Sequence, residues 1–235
     1  MSYSDFDTLC INTIRTLSID AVQAANSGHP GTPMALAPLV YTLWNRVMNF
    51  DPQDPIWPNR DRFVLSNGHA SMLLWSVLHL TGIRAVNADY ERLGEPSVTL
   101  DDIRHFRQLD SKALGHPKYH WVSGVETTTG PPGQGIATSV GMAIARKWLA
   151  SHYNKPSFDV FDYDIYTVCG DGLLDGRVGL GGGLAGRPPR PRRSLLDLRQ
   201  QPHHDRRRYA HRLHRGCRDA LPGLWLEPAA RRRRQ

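Results

Sequence analysis

The sequence predicts an α/β fold in which helices cover a parallel sheet, and three observations carry that prediction. Two short apolar runs, Arg62-Phe63-Val64-Leu65-Ser66 and Ile165-Tyr166-Thr167-Val168-Cys169, have strand length and run into glycine-bearing turns. Segments with helical spacing of apolar residues alternate with them. The residues able to do chemistry cluster where strands give way to turns, the place where open parallel sheets bind ligands.

Residues 4–25 read as an amphipathic helix, because Phe6, Leu9, Ile14, Leu17 and Ala21 recur at three- to five-residue steps after a capping Ser4. The chain breaks at Ser27-Gly28-His29-Pro30-Gly31, and a second apolar helix is expected from Pro33 to Met48. Asp51 to Asp61 is a polar, proline-rich connection to the first strand, which ends in Asn67-Gly68-His69-Ala70. A helix through Leu73, Leu74, Val77 and Leu78 stops at Gly82, and the stretch from there to Glu126 reads as irregular. Thr129-Gly130-Pro131-Pro132-Gly133-Gln134-Gly135 then opens a helix with Ile136, Val140, Ile144 and Trp148 on one side. The second strand delivers Gly170-Asp171-Gly172.

Composition narrows the function classes. At 235 residues with 40% hydrophobic content, the chain has room for a sizeable core. No run approaches the roughly 18 apolar residues of a membrane helix, and the best candidate, Met34 to Trp44, is interrupted by Pro38. The opening residues lack a basic region followed by an apolar stretch, so no secretory signal is expected. Three cysteines without paired spacing, Cys10, Cys169 and Cys217, suit a reducing cytoplasm and neither a disulfide frame nor a zinc cluster.

The net charge of +7 is unevenly placed. Residues 173–235 hold 16 Arg, no Lys and 5 acids, a charge of +11, which leaves −4 on residues 1–172. Two compositions therefore meet near Gly172. A basic module binding nucleic acid is one reading of the tail, through Arg206-Arg207-Arg208 and Arg231 to Arg234. Against it, the tail has Tyr209 and Trp225 as its aromatics and no nucleic-acid-binding signature, so a nucleic-acid partner is not expected. Its proline-glycine density predicts disorder.

Three groups of residues carry chemistry. Asp171, between glycines at a strand end, is a hard-oxygen ligand suited to Mg²⁺, although Gly-Asp-Gly in isolation also reads as a plain turn. Gly130-Pro131-Pro132-Gly133-Gln134-Gly135 presents glycine-rich backbone at a helix N-terminus, an arrangement that holds phosphate, or else merely starts the helix. His29, His69 and His116 each follow a glycine on a tight turn, where an imidazole can reach a phosphate or sugar hydroxyl and move a proton near neutral pH. They are far apart in sequence and have no cysteine beside them, which argues against a zinc set.

Together these segments resemble the transketolase family. Ser27-Gly28-His29-Pro30-Gly31, Asp61 to His69, Gly115-His116-Pro117 and Gly124-Val125-Glu126-Thr127-Thr128-Thr129-Gly130-Pro131 occur in that family's order and spacing, and the resemblance spans residues 1–172. It implies the thiamine-diphosphate-binding fold, incomplete here, on 1–172 as a partial diphosphate-binding domain, followed by an arginine-rich tail over 173–235. It further implies that His69 contacts thiamine diphosphate, that Gly130, Pro131 and Pro132 hold it, that Asp171 ligates Mg²⁺ and that Gly172 touches the diphosphate. His29 and His116 are the implied catalytic, substrate-facing residues. The implied reaction moves a two-carbon ketol group between sugar phosphates in a cytoplasmic homodimer, with a related ketol transferase such as dihydroxyacetone synthase as the rival. One departure lies within the match: Pro132 stands where the family has leucine, and it brings no N–H.

Beyond Gly172 the family continues with a strand bearing an Asn that completes the metal site about 30 residues past the position of Asp171. Here residues 173–235 contain no Ile, Phe, Thr, Asn, Lys or Met. Taking the last two bases of each codon with the first of the next, Arg199 to Ala210 can encode Asp-Asn-Asn-His-Ile-Thr-Ile-Asp-Gly-Asp-Thr, which resembles that strand. Leu221 to Pro228 likewise can encode Phe-Leu-Gly-Tyr-Gly-Trp-Asn. A frame-shifted tail is therefore expected, and with it a chain that binds cofactor weakly and is inactive by itself.

Overall fold

The computed structural model describes residues 3–170 and 195–197. Helix α1 spans Asp5–Ala25. It starts where the sequence places it, because Ser4 and Asp7 form a reciprocal capping box: Asp7 N donates to Ser4 Oγ (3.1 Å) and Ser4 N donates to Asp7 Oδ2 (2.8 Å). The helix ends on Asn26 in the left-handed conformation, φ 47°. Its buried stripe is Cys10, Ile14, Leu17 and Ala21, a 4-3-4 spacing. Leu9, expected on that face, is exposed, and Cys10 takes its place in the core.

Helix α2 covers Gly31–Thr42 and passes into a π-helical turn, Leu43–Val47. The single helix expected from Pro33 to Met48 thus begins two residues earlier and changes hydrogen-bonding register near its end. Pro38 sits inside α2 and has no N–H for the Met34 carbonyl; Arg15 Nε of α1 donates to that oxygen instead, at 3.1 Å. Asp7 joins the same pair of helices, accepting from Tyr41 Oη (2.5 Å) and Arg46 Nη2 (2.7 Å). Burial alone would raise its pKa; the hydrogen bonds from Tyr41, Ser4 and Arg46 outweigh burial and hold the carboxyl well below the usual carboxylate range.

Strand β1 is Arg62–Leu65 and β4 is Ile165–Val168, paired in parallel with Phe63 opposite Tyr166 and Leu65 opposite Val168. Between them in the chain lie α3 (Ser71–Thr81), the antiparallel pair β2 (Arg84–Val86) and β3 (Arg92–Pro96), α4 (Leu100–Arg104) and α5 (Gln134–Tyr153). The hairpin and α4 fall in the stretch read as irregular from sequence. Strand β5, Leu195–Asp197, adds antiparallel to β4, giving the order β1-β4-β5. Leu195–Asp197 are the residues of the tail that the structure describes; the remainder of 171–235, on which the expected disorder falls, lies outside the described residues.

One continuous apolar core joins the inner faces of α1, α2 and α3 to β1 and β4. Its centre is α3, ten of whose eleven residues are buried. Among the described residues, no helix is long and apolar enough to cross a membrane.

Candidate functional site at the carboxyl ends of the parallel strands

Parallel pairing places the ends of β1 and β4 side by side, and each strand end continues into a motif singled out from sequence. After Leu65 come Ser66, Asn67, Gly68 and His69, the last two in a short 3₁₀ turn that leads into α3. After Val168 come Cys169 and Gly170, and Gly170 N donates to Asn67 Oδ1 at 2.8 Å, tying the two strand ends together. Asn67, Cys169 and Gly170 line one side of a cleft of about 190 Å³, and Gly31, Thr32, Ala35 and Leu36 of α2 line the other.

The α5 entry closes against the same strand end through glycines. A Cβ on Gly135 would stand 2.7 Å from Ser66 Cα, and one on Gly68 would stand 2.8 Å from the Thr129 carbonyl oxygen. Glycine at both positions lets three stretches of backbone approach where no side chain fits. Gly133, with φ 81°, turns the chain into α5 after the exposed Pro131 and Pro132. Upstream, Glu126 holds this segment to the start of β1 by accepting from Arg60 Nε (3.1 Å) and Nη2 (3.0 Å), with Arg62 Nε at 3.4 Å.

All three glycine-flanked histidines meet here. The rings of His29 and His69 stand edge to face with centroids 4.9 Å apart. His116 flanks Gly130, its Cδ2 lying 3.9 Å from where a Cβ on that glycine would be. The pKa of His69 is lowered first by partial burial and then by His29 and His116. That of His116 is lowered by partial shielding of its ring, then by the Arg107 guanidinium and His29. Neutral imidazoles at pH 7 follow, able to accept a proton from a hydroxyl or to donate a hydrogen bond to an anion.

His29, His69, His116, Gly130, Pro131 and Pro132 thus gather around one strand end, while Asp171 and Gly172 lie outside the described residues. No group of three or more His, Cys, Asp or Glu that could hold a metal exists among the described residues. For a diphosphate-bearing cofactor the residues present do fit. Ser66 Oγ and Thr129 Oγ1, both buried at the α5 entry, have no hydrogen-bond partner among the described residues, a state that buried hydroxyls rarely keep. Sequence reasoning missed Asn67, Ser66 and Thr129 as parts of the site, although Asn67 and Thr129 each adjoin a glycine it had singled out and Ser66 lies one residue further away. It also missed Arg107, whose guanidinium touches two of the histidine turns.

Comparison with known proteins gives this arrangement a family. Residues 6–185 match the model described as "Transketolase, thiamine diphosphate binding domain". The transketolase of Geobacillus stearothermophilus is 51% identical over 181 residues, covering 77% of this chain and 25% of the relative. Transketolase 1 of Vibrio cholerae is 53% identical over 163 residues, covering 69% and 23% respectively. Among solved structures, Pichia stipitis transketolase in complex with sedoheptulose-7-phosphate superposes with a TM-score of 0.69 at 47% identity, over 76% of this chain and 24% of that one. Transketolase from Leishmania mexicana gives 0.68 at 42%, over 77% and 25%. The chain spans about a quarter of the length of the relatives it matches. With the family model covering residues 6–185, this chain belongs to the transketolase family, within its thiamine diphosphate-binding domain.

Proposed function

We propose that this chain supplies the diphosphate- and substrate-facing side of a transketolase site, whose reaction transfers a two-carbon ketol group from a ketose phosphate to an aldose phosphate. The observation that carries the reading is the convergence of His29, His69 and His116 on the glycine-lined end of β1. Thiamine diphosphate, when bound, supplies the electron sink for breaking and making the carbon–carbon bond. The residues of this chain bind and orient. His69, on the turn between β1 and α3, donates to a diphosphate oxygen. Gly130, Pro131 and Pro132 approach the cofactor through backbone, with Pro132 offering no N–H. Asp171 ligates Mg²⁺, and Gly172 lies against the diphosphate. His29 and His116 hold sugar hydroxyls and exchange protons with them, and the lowered pKa of His116 favours its acting as a base. A second copy of the chain, a cytoplasmic setting and sugar-phosphate substrates complete the reading, which the sedoheptulose-7-phosphate complex of the Pichia stipitis relative supports for the substrate class.

Calorimetric titration of the chain with thiamine diphosphate and Mg²⁺ tests the assignment. Binding is expected to be weaker than about 1 μM, because one carboxylate is a poor site for an ion that keeps its waters. His69→Ala should weaken it further, and His29→Ala should leave it unchanged. Equal losses in both variants would refute the division of roles.

We also propose that the arginine-rich tail is a shifted reading of transketolase coding DNA. Support comes from the six missing residue types and the two family segments recovered in one alternate frame. The change of frame belongs near the codons for Gly172 to Arg177, where the two compositions meet. Resequencing should restore an Asn about 30 codons after Asp171. Reads reproducing the present frame unchanged would reject the idea.

A further inference from the structure

We propose that Arg107 is a positioning residue that clamps the His29 turn to the His116 turn, so that both imidazoles are held toward one substrate. The inference rests on the reading that these two histidines handle the sugar phosphate, and it adds a residue to which no role has been given. Arg107 follows α4 and adopts φ 62°, the left-handed region that a non-glycine residue enters only under strain. Its backbone is kept there by donating its N–H to the Ala113 carbonyl at 3.1 Å. The preceding residue, Phe106, is buried in the core, and its Cε1 lies 3.1 Å from where a Cβ on Gly28 would stand. Consecutive residues therefore grip the first histidine turn from two directions, because Arg107 Nη1 donates to Ser27 Oγ at 3.0 Å.

The same guanidinium lies across the second histidine turn. A Cβ on Gly115 would stand 2.8 Å from Arg107 Nε and 3.3 Å from both Cζ and Nη2. Gly115 immediately precedes His116, so the glycine there makes room for the planar fork. Arginine suits the task because its donors are fixed in one plane, whereas lysine would offer a flexible point charge. The charge has a second consequence. Among the described residues, the charged or titratable groups acting on His116 are Arg107 from the loop after α4 and His29 from the α1–α2 turn, and both disfavour its protonated form. The pKa of His69, from the β1–α3 turn, is lowered first by burial and then by His29 and His116. Arg107 thus braces the turn that carries His116 and adds to the burial that lowers its pKa.

The test uses the full chain labelled for histidine NMR, without cofactor, so its result does not depend on whether thiamine diphosphate binds. In Arg107→Ala the titration midpoint of His116 should move up and the His29 ring resonances should shift, with a smaller change at His69. Arg107→Lys, which keeps a positive charge but not the fork, should restore the His116 midpoint in part and leave His29 displaced. Gly115→Ala should push aside the flexible end of Arg107, and so reproduce the upward movement with the melting temperature unchanged. If Arg107→Ala fails to fold, Gly115→Ala decides. A folded Arg107→Ala, or a folded Gly115→Ala, with the His116 midpoint where it stands in the parent chain would overturn the proposal.

Discussion

Helices α3 and α5 both leave a turn of the candidate site, yet α3 is buried along its length and α5 only at its start. In α3 every residue but His79 is buried, and the helix packs against α1, α2 and α4. In α5 the buried residues are Gly135, Ile136 and Ser139, and its described neighbours are β1 and β4. Further along, Ile144 and Trp148 are 65% and 58% exposed on the side where the apolar stripe runs. The two halves of the site are therefore built differently. His69 stands on a turn whose helix is buried along its length, whereas the Gly130–Gly133 turn is held by the tight backbone approaches at Gly135 and at Thr129 and by the Glu126 ion pairs.

The contrast can be broken most severely at Trp75. This side chain is fully buried and its Nε1 donates to the Leu114 carbonyl at 2.7 Å, which links α3 to the segment before His116. Trp75→Ala should cost about 3–5 kcal/mol of stability, and Trp148→Ala on α5 should stay within about 0.5 kcal/mol. Thermal or denaturant unfolding of both variants checks this, and a large loss at Trp148 would mean that α5 is covered in solution.

Acid should have an intermediate effect, exerted mainly through α3. The pKa values of His69, His79 and His116 all lie below that of a free imidazole, in each case first through burial. Their contribution is complete above the unfolded value of about 6.5 and declines as pH falls toward the folded values, because the unfolded chain then binds protons that the native chain refuses. The melting temperature should therefore drop between about pH 7.5 and about pH 5.5. His79→Gln should flatten the slope, since His79 sits in α3 with Nδ1 3.1 Å from the Val98 carbonyl oxygen. A melting temperature that rises over the same interval would contradict the assignment of these histidines as neutral.

Elements whose signals are local were readable in the sequence. The α1 start was legible because the Ser4–Asp7 box is a four-residue signal, and both parallel strands because their apolar runs end in glycine turns. The β2–β3 hairpin was not, since all five β3 residues are exposed and no alternation marks them. Its turn did leave a trace: Asn87 Oδ1 accepts from the backbone N–H groups of Asp89 and Glu91, an Asx turn. The α4 start left another, Thr99 capping Asp102 N at 3.1 Å in the same box pattern as α1. The histidines of the site were found because each adjoins a glycine. Asn67, Ser66, Thr129 and Arg107 were not, because their roles come from chain segments brought together by the parallel pairing of β1 and β4. Arg107 in particular is one arginine in a loop, and nothing in its neighbours' identities shows that its fork reaches Ser27 and Gly115.

Chemical-shift mapping of the thiamine diphosphate titration tests the central claim most directly, since it reports where the cofactor binds even when affinity is low. With Mg²⁺ present, the account predicts saturable shifts concentrated at His69, Gly68 and the Gly130–Gly133 turn, smaller ones at His29 and His116, and none at the far end of α5 around Trp148. Shifts scattered over the surface, or confined to residues away from the carboxyl ends of β1 and β4, would contradict it.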